Sequence, residues 1–394
     1  MTYPYWFTLK SAVNLGSTRV VFVVNDNDVS WVLSTMNDYL DASKFENDVL
    51  SDITWIETSY RPYRSGYIWI EDNEVLLLTG WGTTTTQLAF SRFNTSTDAL
   101  DTLETVSVAD SPVSGYWVEG DEVFCTIVTG SAFANNYPLQ VYKFDKTTRE
   151  FSTLLDSVAL PQSLMCYDVC NWAESGKRMI AVRQYGGSTN TTRIHVYAWE
   201  DGRLSLKDSL LMNTHSAETG SVVAHRAMGD DRLLIVTGAR GTDEDYAAKV
   251  LKWDATNESL SVFDSFFHSN DDLAAYTHIV SFWLPPNSDV IRVVFYVSVS
   301  GFRVRVVDYD YTEKAVEILT DEVVIKDAND FNRSVTNSWV DVDLEGSLAD
   351  EERLVYISHA TGISAYRFEP SVAVPILSKP VQENANIRVS WTYP

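Results

Sequence analysis

The amino-acid sequence predicts an all-β protein built from repeated four-stranded units. The clearest sign is a strand-like run that ends in an aromatic residue followed by an acid or its amide, after which a polar turn leads into another run. Six such pairs recur at intervals of 51 to 59 residues: Phe93-Asn94, Phe144-Asp145, Trp199-Glu200, Trp253-Asp254, Tyr309-Asp310 and Phe368-Glu369. One further step towards the N-terminus reaches Met36-Asn37, which makes seven units.

Two other kinds of segment recur within the units and supply the remaining strands. Nearly continuous apolar runs ending at glycine are typical of strands buried on both faces; they are EVLLLTG (74–80), EVFCTIVTG (122–130), KRMIAVRQYGG (177–187) and RLLIVTG (232–238). Shorter runs before them end in an acidic or glycine turn, as in SGYIWIEDN (65–73) and SGYWVEGD (114–121). Each unit therefore contains four strands in about fifty residues.

Four-stranded antiparallel units at this period predict a seven-bladed β-propeller, in which the blades surround a common axis. A linear array of repeats needs polar end units to cover its exposed edges. Here the first and last units are as apolar as the middle ones, so a ring is favoured. We expect a single domain over residues 1–394, with a closing strand or tail at 382–394 that pairs with the N-terminal segment. The predicted blades span 6–59, 65–110, 114–160, 164–212, 220–268, 276–327 and 334–381.

Over essentially its whole length the chain resembles the β-propeller superfamily, and two stretches resemble particular repeats. LQVYKFDKTTREFSTL, residues 139–154, is similar to the third and fourth strands of a kelch repeat, although the kelch double glycine occurs once, as Gly186-Gly187. In the seventh unit, Asp341, Asp343 and Glu345 resemble the acidic loop of integrin-type FG-GAP repeats, with Glu in place of the third Asp. This second resemblance implies a Ca²⁺ site at those residues. No other cofactor is expected.

Composition and charge exclude several classes of partner. The chain has 30 Lys and Arg against 54 Asp and Glu, a net charge of −24, so it repels phosphate backbones and no nucleic-acid partner is expected. No apolar run approaches the roughly 18 residues that span a bilayer, so no membrane insertion is expected.

The three cysteines, Cys125, Cys166 and Cys170, predict buried thiols rather than a disulfide framework. Without a visible signal peptide, a cytoplasmic or virion-associated location is preferred.

The candidate binding surface is the upper face of the ring. In a propeller, the turns between second and third strands share this face with the connections between blades, and loops carry function more often than strands do. Aromatic and Arg side chains are enriched at interface hot spots. The candidates on this face are Tyr60, Arg61, Tyr63, Arg64, Trp81, Phe133, Tyr137, Tyr185, Arg240 and Arg333. The alternative is that these residues only cap the blade tops.

The sequence contains none of the common catalytic motifs. Its six histidines show no tight ligand spacing, and it has no nucleophile elbow, P-loop or Rossmann glycine pattern. The acidic loops Asp243-Glu244-Asp245 and Asp271-Asp272 fit either a bound cation or simple solvation. No catalytic residue is proposed, and the balance is against an enzyme.

Two hypotheses of function follow. The favoured one is a non-enzymatic protein-interaction or structural scaffold, a subunit of a larger assembly such as a virus particle or tail, with a protein partner. The alternative is a propeller that binds or cleaves a glycan on its upper face, in a Ca²⁺-dependent form if the acidic loop binds the ion. A glycan-cleaving enzyme needs two carboxyl groups about 5–10 Å apart, whereas a scaffold needs a broad aromatic or apolar patch.

Overall fold

A computed structural model shows seven small antiparallel sheets arranged in a ring, and the predicted seven-bladed β-propeller is confirmed. Among the residues that it describes, no helix is long and apolar enough to cross a membrane. The described residues are 5–16, 18–26, 29–36, 39–57, 62–71, 73–81, 86–108, 113–120, 122–128, 138–145, 148, 150–160, 165–186, 191–213, 223–228, 231–237, 246–268, 279–283, 285, 288–296, 303–333, 335–340, 353–371, 376–377, 381–383, 386–388 and 391–392.

The strands follow one another blade by blade after an N-terminal strand, β1 (Tyr5–Asn14). The first two blades contain β2 (Thr18–Asp26), β3 (Val29–Met36), β4 (Tyr39–Glu46) and β5 (Val49–Glu57), then β6 (Pro62–Glu71), β7 (Glu74–Trp81), β8 (Thr86–Asn94) and β9 (Ala99–Val108). The third and fourth contain β10 (Val113–Glu119), β11 (Glu122–Val128), β12 (Pro138–Asp145) and β13 (Glu150–Ala159), then β14 (Met165–Glu174), β15 (Lys177–Gly186), β16 (Thr191–Glu200) and β17 (Arg203–Asn213).

The remaining blades complete the ring. The fifth contains β18 (Val223–Met228), β19 (Asp231–Thr237), β20 (Tyr246–Asp254) and β21 (Ser259–His268). The sixth contains β22 (Ile279–Trp283), β23 (Val290–Tyr296), β24 (Arg303–Asp310) and a split outer strand, β25 (Ala315–Ile318) and β26 (Val323–Val324), both paired with β24. The seventh contains β27 (Val335–Val340), β28 (Arg353–His359) and β29 (Gly362–Pro370). Four short strands follow: β30 (Ile376–Leu377), β31 (Val381–Glu383), β32 (Asn386–Arg388) and β33 (Trp391–Thr392).

The ring is closed by the N-terminal strand. β1 pairs with β29 from Tyr5↔Pro370 to Asn14↔Gly362, and it is therefore the outer strand of the seventh blade. The inner strand of that blade, β27, lies against β2, the inner strand of the first blade. The two ends of the ring are thus neighbours, and we call the contact between the first and seventh blades the seam.

This closure corrects two expectations from the sequence. β1 lies in the range predicted for the first blade, 6–59, but it belongs to the seventh. The tail at 382–394 was expected to supply a closing strand; in its described residues it instead pairs locally, β30 with β33 and β31 with β32. The physical reason is that β1 itself pairs with the outer edge of β29 and closes the ring, so closure needs no strand from the tail.

The hydrophobic core is divided among the contacts between neighbouring blades. Trp31 and Leu33 of the first blade pack with Phe93 of the second. At the seam, Phe45 of the first blade packs with Tyr356 of the seventh. Because each sheet covers part of the apolar face of the next, the blades stabilise one another through apolar burial.

A polar residue just after a β-bulge in an outer strand bonds one blade to the next. Asp156 in β13 accepts the backbone N–H of the second residue of β17 at 2.7 Å. Asp208 occupies the same position in β17 and accepts the N–H of the second residue of β21, also at 2.7 Å. Ser11 repeats the arrangement across the seam, accepting the N–H of the second residue of β5 at 2.9 Å. The bulge turns the strand locally and re-aims this side chain towards the neighbouring blade.

Gly362 allows the backbones of β29 and β1 to lie very close together at the C-terminal end of β1. Its φ is +155°, and a Cβ at this position would lie 1.9 Å from the carbonyl oxygen of Val13. Since that oxygen belongs to the backbone, it cannot move aside without disturbing the β1–β29 pairing.

We expect Gly362→Ala to destabilise the protein by about 3 kcal/mol or more, because the new methyl group separates β1 from β29. The matched control is Gly202→Ala, whose φ is +73° but whose Cβ would meet nothing within 4 Å; backbone strain alone should cost it about 1 kcal/mol. Urea unfolding followed by tryptophan fluorescence measures both. Equal losses in the two variants would contradict this account of closure.

Candidate functional site

The part of the upper face that is described in most detail lies where the sixth blade joins the seventh. It consists of residues 325–333, which we call the Asp327 turn, and of the short turn between β28 and β29. The Asp327 turn is rich in Asp and Asn, which favour tight turns. Asp330 has a left-handed φ of 65°, and a backbone bridge joins Lys326 to Asn332.

The carboxylate of Asp327 organises this turn. The residue is 2% exposed. Its Oδ1 accepts the backbone N–H groups of Asn329 at 2.9 Å and Phe331 at 3.0 Å. Its Oδ2 accepts Arg333 Nε–H at 2.7 Å and the hydroxyl of Thr361 at 3.2 Å. Four donors therefore hold one buried carboxylate, which makes the turn rigid.

The same hydrogen-bond network reaches the seam. The carbonyl of Thr361 accepts the N–H groups of Leu15 at 3.0 Å and Gly16 at 3.1 Å, in the connection that leaves β1. His359 lies beneath, with Nδ1 3.1 Å from the Thr361 hydroxyl and Nε2 3.0 Å from Ser364 Oγ. The Asp327 turn, the seventh blade and the exit of β1 are thus bonded into one unit.

The pKa values of Asp327 and His359 are those expected of groups that hold the structure together. Burial alone would raise the pKa of Asp327, but the hydrogen bond from Arg333 and the amides of Phe331 and Asn329 lower it to about 2. Burial lowers the pKa of His359 to about 4, with the charge of Asp327 opposing that shift and the charge of Arg333 adding to it. At neutral pH the carboxylate is ionised and the imidazole is neutral.

Phe331 is the surface feature that this rigid turn presents. It is 62% exposed. The guanidinium carbon of Arg333 lies 5.7 Å from the centre of its ring, within the range of a cation–π contact. An exposed aromatic ring beside an Arg, on a turn that is already ordered, has the composition of an interface hot spot and loses little conformational entropy on binding.

The structure describes the predicted site residues to different extents. Arg333 is described in full and lies in the Asp327 turn; its part in binding stays a prediction. Four others lie in strands whose backbone is described: Tyr63 and Arg64 in β6, Trp81 in β7 and Tyr185 in β15. β6 and β7 pair Pro62 with Trp81 and Arg64 with Gly80, so the backbone brings Arg64 and Trp81 to the same end of the second blade. Outside the described residues lie Tyr60, Arg61, Phe133, Tyr137 and Arg240, and the predicted calcium ligands Asp341, Asp343 and Glu345.

Sequence reasoning missed Phe331 and Asp327, although it named Arg333, which lies in the same loop. For Phe331 the available signal was its position between Asp330 and Asn332 in a polar loop. An aromatic ring there has few apolar neighbours to cover it. Asp327 gave no such signal, because the Thr361 hydroxyl that it binds lies 34 positions away.

The other His and Cys side chains that the structure describes are buried, half-buried or hydrogen-bonded. His195 is fully buried, with Nε2 2.8 Å from Gln184 Oε1 and Nδ1 2.7 Å from Ser209 Oγ, and burial lowers its pKa to about 4. Cys125 is a buried free thiol, as predicted, and Cys170 is a half-buried one. Within the described ranges, no three His, Cys, Asp or Glu side chains form a metal-binding group.

Comparison with known proteins shows the fold. No family model matches the chain, and no curated protein matches its sequence. Among solved structures it is similar to Sqt1 of Saccharomyces cerevisiae, with 8% identity, a TM-score of 0.53 and coverage of 94% of this chain and 100% of that one. It is also similar to BBS1N in complex with ARL6DN, with 11% identity, a TM-score of 0.55 and coverage of 95% of this chain and 99% of that one. A putative 6-phosphogluconolactonase of Bacteroides fragilis is similar with 10% identity, a TM-score of 0.54 and coverage of 77% of this chain and 84% of that one. At these identities the likeness extends to architecture alone.

We expect His359 to make the stability of the protein depend on pH below neutrality. Its pKa is about 4 in the folded chain against an ordinary value of 6.5, so between these values the unfolded state binds more protons. Its contribution is complete above pH 6.5 and is lost as the pH falls towards 4. Relative to His359→Gln, the wild-type protein should lose up to about 1.4 kcal/mol per pH unit in this window. Urea unfolding from pH 4 to 7 tests this, and parallel curves for the two proteins would contradict it.

Proposed function

We propose that the chain is a non-enzymatic propeller, a single domain over residues 1–394, that acts as a protein-interaction scaffold and binds a partner protein on its upper face. The observation that carries the proposal is the pairing of exposed Phe331 with Arg333 on the Asp327 turn. A rigid disc with pre-ordered surface aromatic groups is suited to docking, because little must be ordered when the partner binds.

The reactive groups at this corner favour binding over catalysis. Both oxygens of Asp327 accept two hydrogen bonds each. Both ring nitrogens of His359 also have partners. A general acid or base must exchange a proton with its substrate, and these groups are instead committed to holding the turn and the seam.

The partner surface should complement an aromatic ring and a guanidinium. We propose an apolar pocket that receives Phe331 with a carboxylate near Arg333, since buried aromatic and Arg anchors dominate many protein interfaces. The sequence-predicted residues Tyr60, Arg61, Tyr63, Arg64, Trp81, Phe133, Tyr137, Tyr185 and Arg240 would extend this surface around the upper face. We further propose that the complex is a larger assembly, such as a virus particle or tail. Among the similar structures, BBS1N was solved in complex with another protein.

Site-specific cross-linking tests this proposal. A photoreactive phenylalanine analogue is placed at position 331 in one variant and at position 262 in another, and each is expressed in the source of the protein. Val262 is the control because it is 48% exposed but lies on the outer strand of the fifth blade. We expect position 331 to cross-link to one defined partner and position 262 not to.

The assembly can be measured alongside. The native mass of the complex purified from its source should exceed that of the 44.4 kDa chain. Equal cross-linking from both positions, or a monodisperse monomer with no product from position 331, would contradict the proposed function.

A further inference from the structure

Two carboxyl groups meet on the face of the first blade that packs against the seventh. Asp41 in β4 is 2% exposed, and Asp52 in β5, the register partner of Ser43, lies beside it on the same face of the sheet. The hydroxyl of Ser43 donates to Asp41 Oδ1 at 3.2 Å. On the same face of β4, Phe45 packs against Tyr356 of the seventh blade, so this pair lies beside the seam.

A buried hydroxyl without a described partner adjoins the pair. Ser34 in β3 is the register partner of Asp41, so the two side chains lie on the same face with their Cβ atoms about 5 Å apart. Ser34 is fully buried, and within the described part of the chain its Oγ makes no hydrogen bond. Buried polar atoms normally have a partner, so this oxygen is available to a ligand at the cluster.

Two carboxylates at hydrogen-bonding distance repel each other unless a positive charge lies between them. Burial and, to a smaller extent, the charge of Asp52 together raise the pKa of Asp41 to about 7. A cation between the two carboxyl groups relieves this repulsion. The net charge of −24 favours the cation, because it raises the local concentration of positive ions.

The donor set suits a hard cation. The two carboxyl groups and the hydroxyls of Ser34 and Ser43 bring oxygen atoms, and no nitrogen or sulfur, to one place. Calcium binds six to eight oxygen ligands, and water can supply those that the protein does not. The cluster is open at the rim of the blade, since Asp52 is exposed and Trp55, the register partner of Asp41, is 57% exposed.

We propose that Asp41 and Asp52, with the hydroxyls of Ser34 and Ser43, bind a Ca²⁺-like divalent cation that stabilises the first blade on the face that packs against the seventh. This site is distinct from the acidic loop at Asp341, Asp343 and Glu345. It is independent of the proposed partner surface, so either proposal can fail without the other. A cation here joins β3, β4 and β5 beside the contact between Phe45 and Tyr356.

Thermal unfolding of chelator-treated protein at pH 8, with and without millimolar Ca²⁺, tests the site. A ligand that binds only the folded state stabilises that state and therefore raises the Tm of the protein. We expect a rise of a few degrees for the wild type and none for Asp52→Asn, which removes one ligand charge from an exposed position. The matched control is Glu46→Gln, an exposed residue in the same sheet on the opposite face of β4, which should keep the full rise.

Terbium luminescence tests the position of the site. Tb³⁺ replaces Ca²⁺ in oxygen-rich sites and emits when a nearby Trp is excited. We expect Trp55→Phe to lose most of this emission while keeping the rise in Tm with Ca²⁺, and Asp52→Asn to lose both. The proposal is overturned if Ca²⁺ does not raise the Tm of the wild type, if Asp52→Asn shows the same rise, or if Trp55→Phe leaves the emission unchanged.

Discussion

Closing the ring is the constraint on which the rest of this structure depends. Each blade leaves one apolar face for its neighbour to cover, so an open array would expose the end faces that contain Phe45 and Tyr356. β1 prevents this by joining the first residues of the chain to β29 along a strand of ten residues. The price is a pairing that spans nearly the whole chain, so it can form only after most of the ring has been assembled.

Several features that differ in chemistry converge on the seam. Ser11 carries the inter-blade hydrogen bond across it, and Gly362 allows the backbones of β29 and β1 to approach within the adjoining seventh blade. Thr361 bonds the exit of β1 to the Asp327 turn. The Asp41–Asp52 pair lies on the seam face of the first blade. A change that loosens closure should therefore also disturb the surface that presents Phe331.

The repeat could be predicted from the sequence because it is made by local interactions. Asp254 and Asp310 each accept the N–H groups of the residues two and three positions later, as their place at a turn start predicts. The partner of β1 could not be predicted, because any outer edge of a similar sheet offers the same hydrogen-bonding groups. At the site, Arg333 was predicted from its loop, whereas Asp327 depends on a contact with Thr361 that no local pattern encodes.

The most direct test of closure is a disulfide between its two strands. Trp6 and Glu369 are register partners in β1 and β29, and Trp6 is 45% exposed, so cysteines at both positions can react without repacking the core. Mild oxidation of Trp6→Cys/Glu369→Cys should join the two positions in the native protein and not in urea, as read by peptide mapping. A control with Trp6→Cys and Leu155→Cys, in the outer strand of the third blade, should not cross-link. Absence of the 6–369 bond in the native protein, or equal yield in the control, would contradict a ring closed by β1.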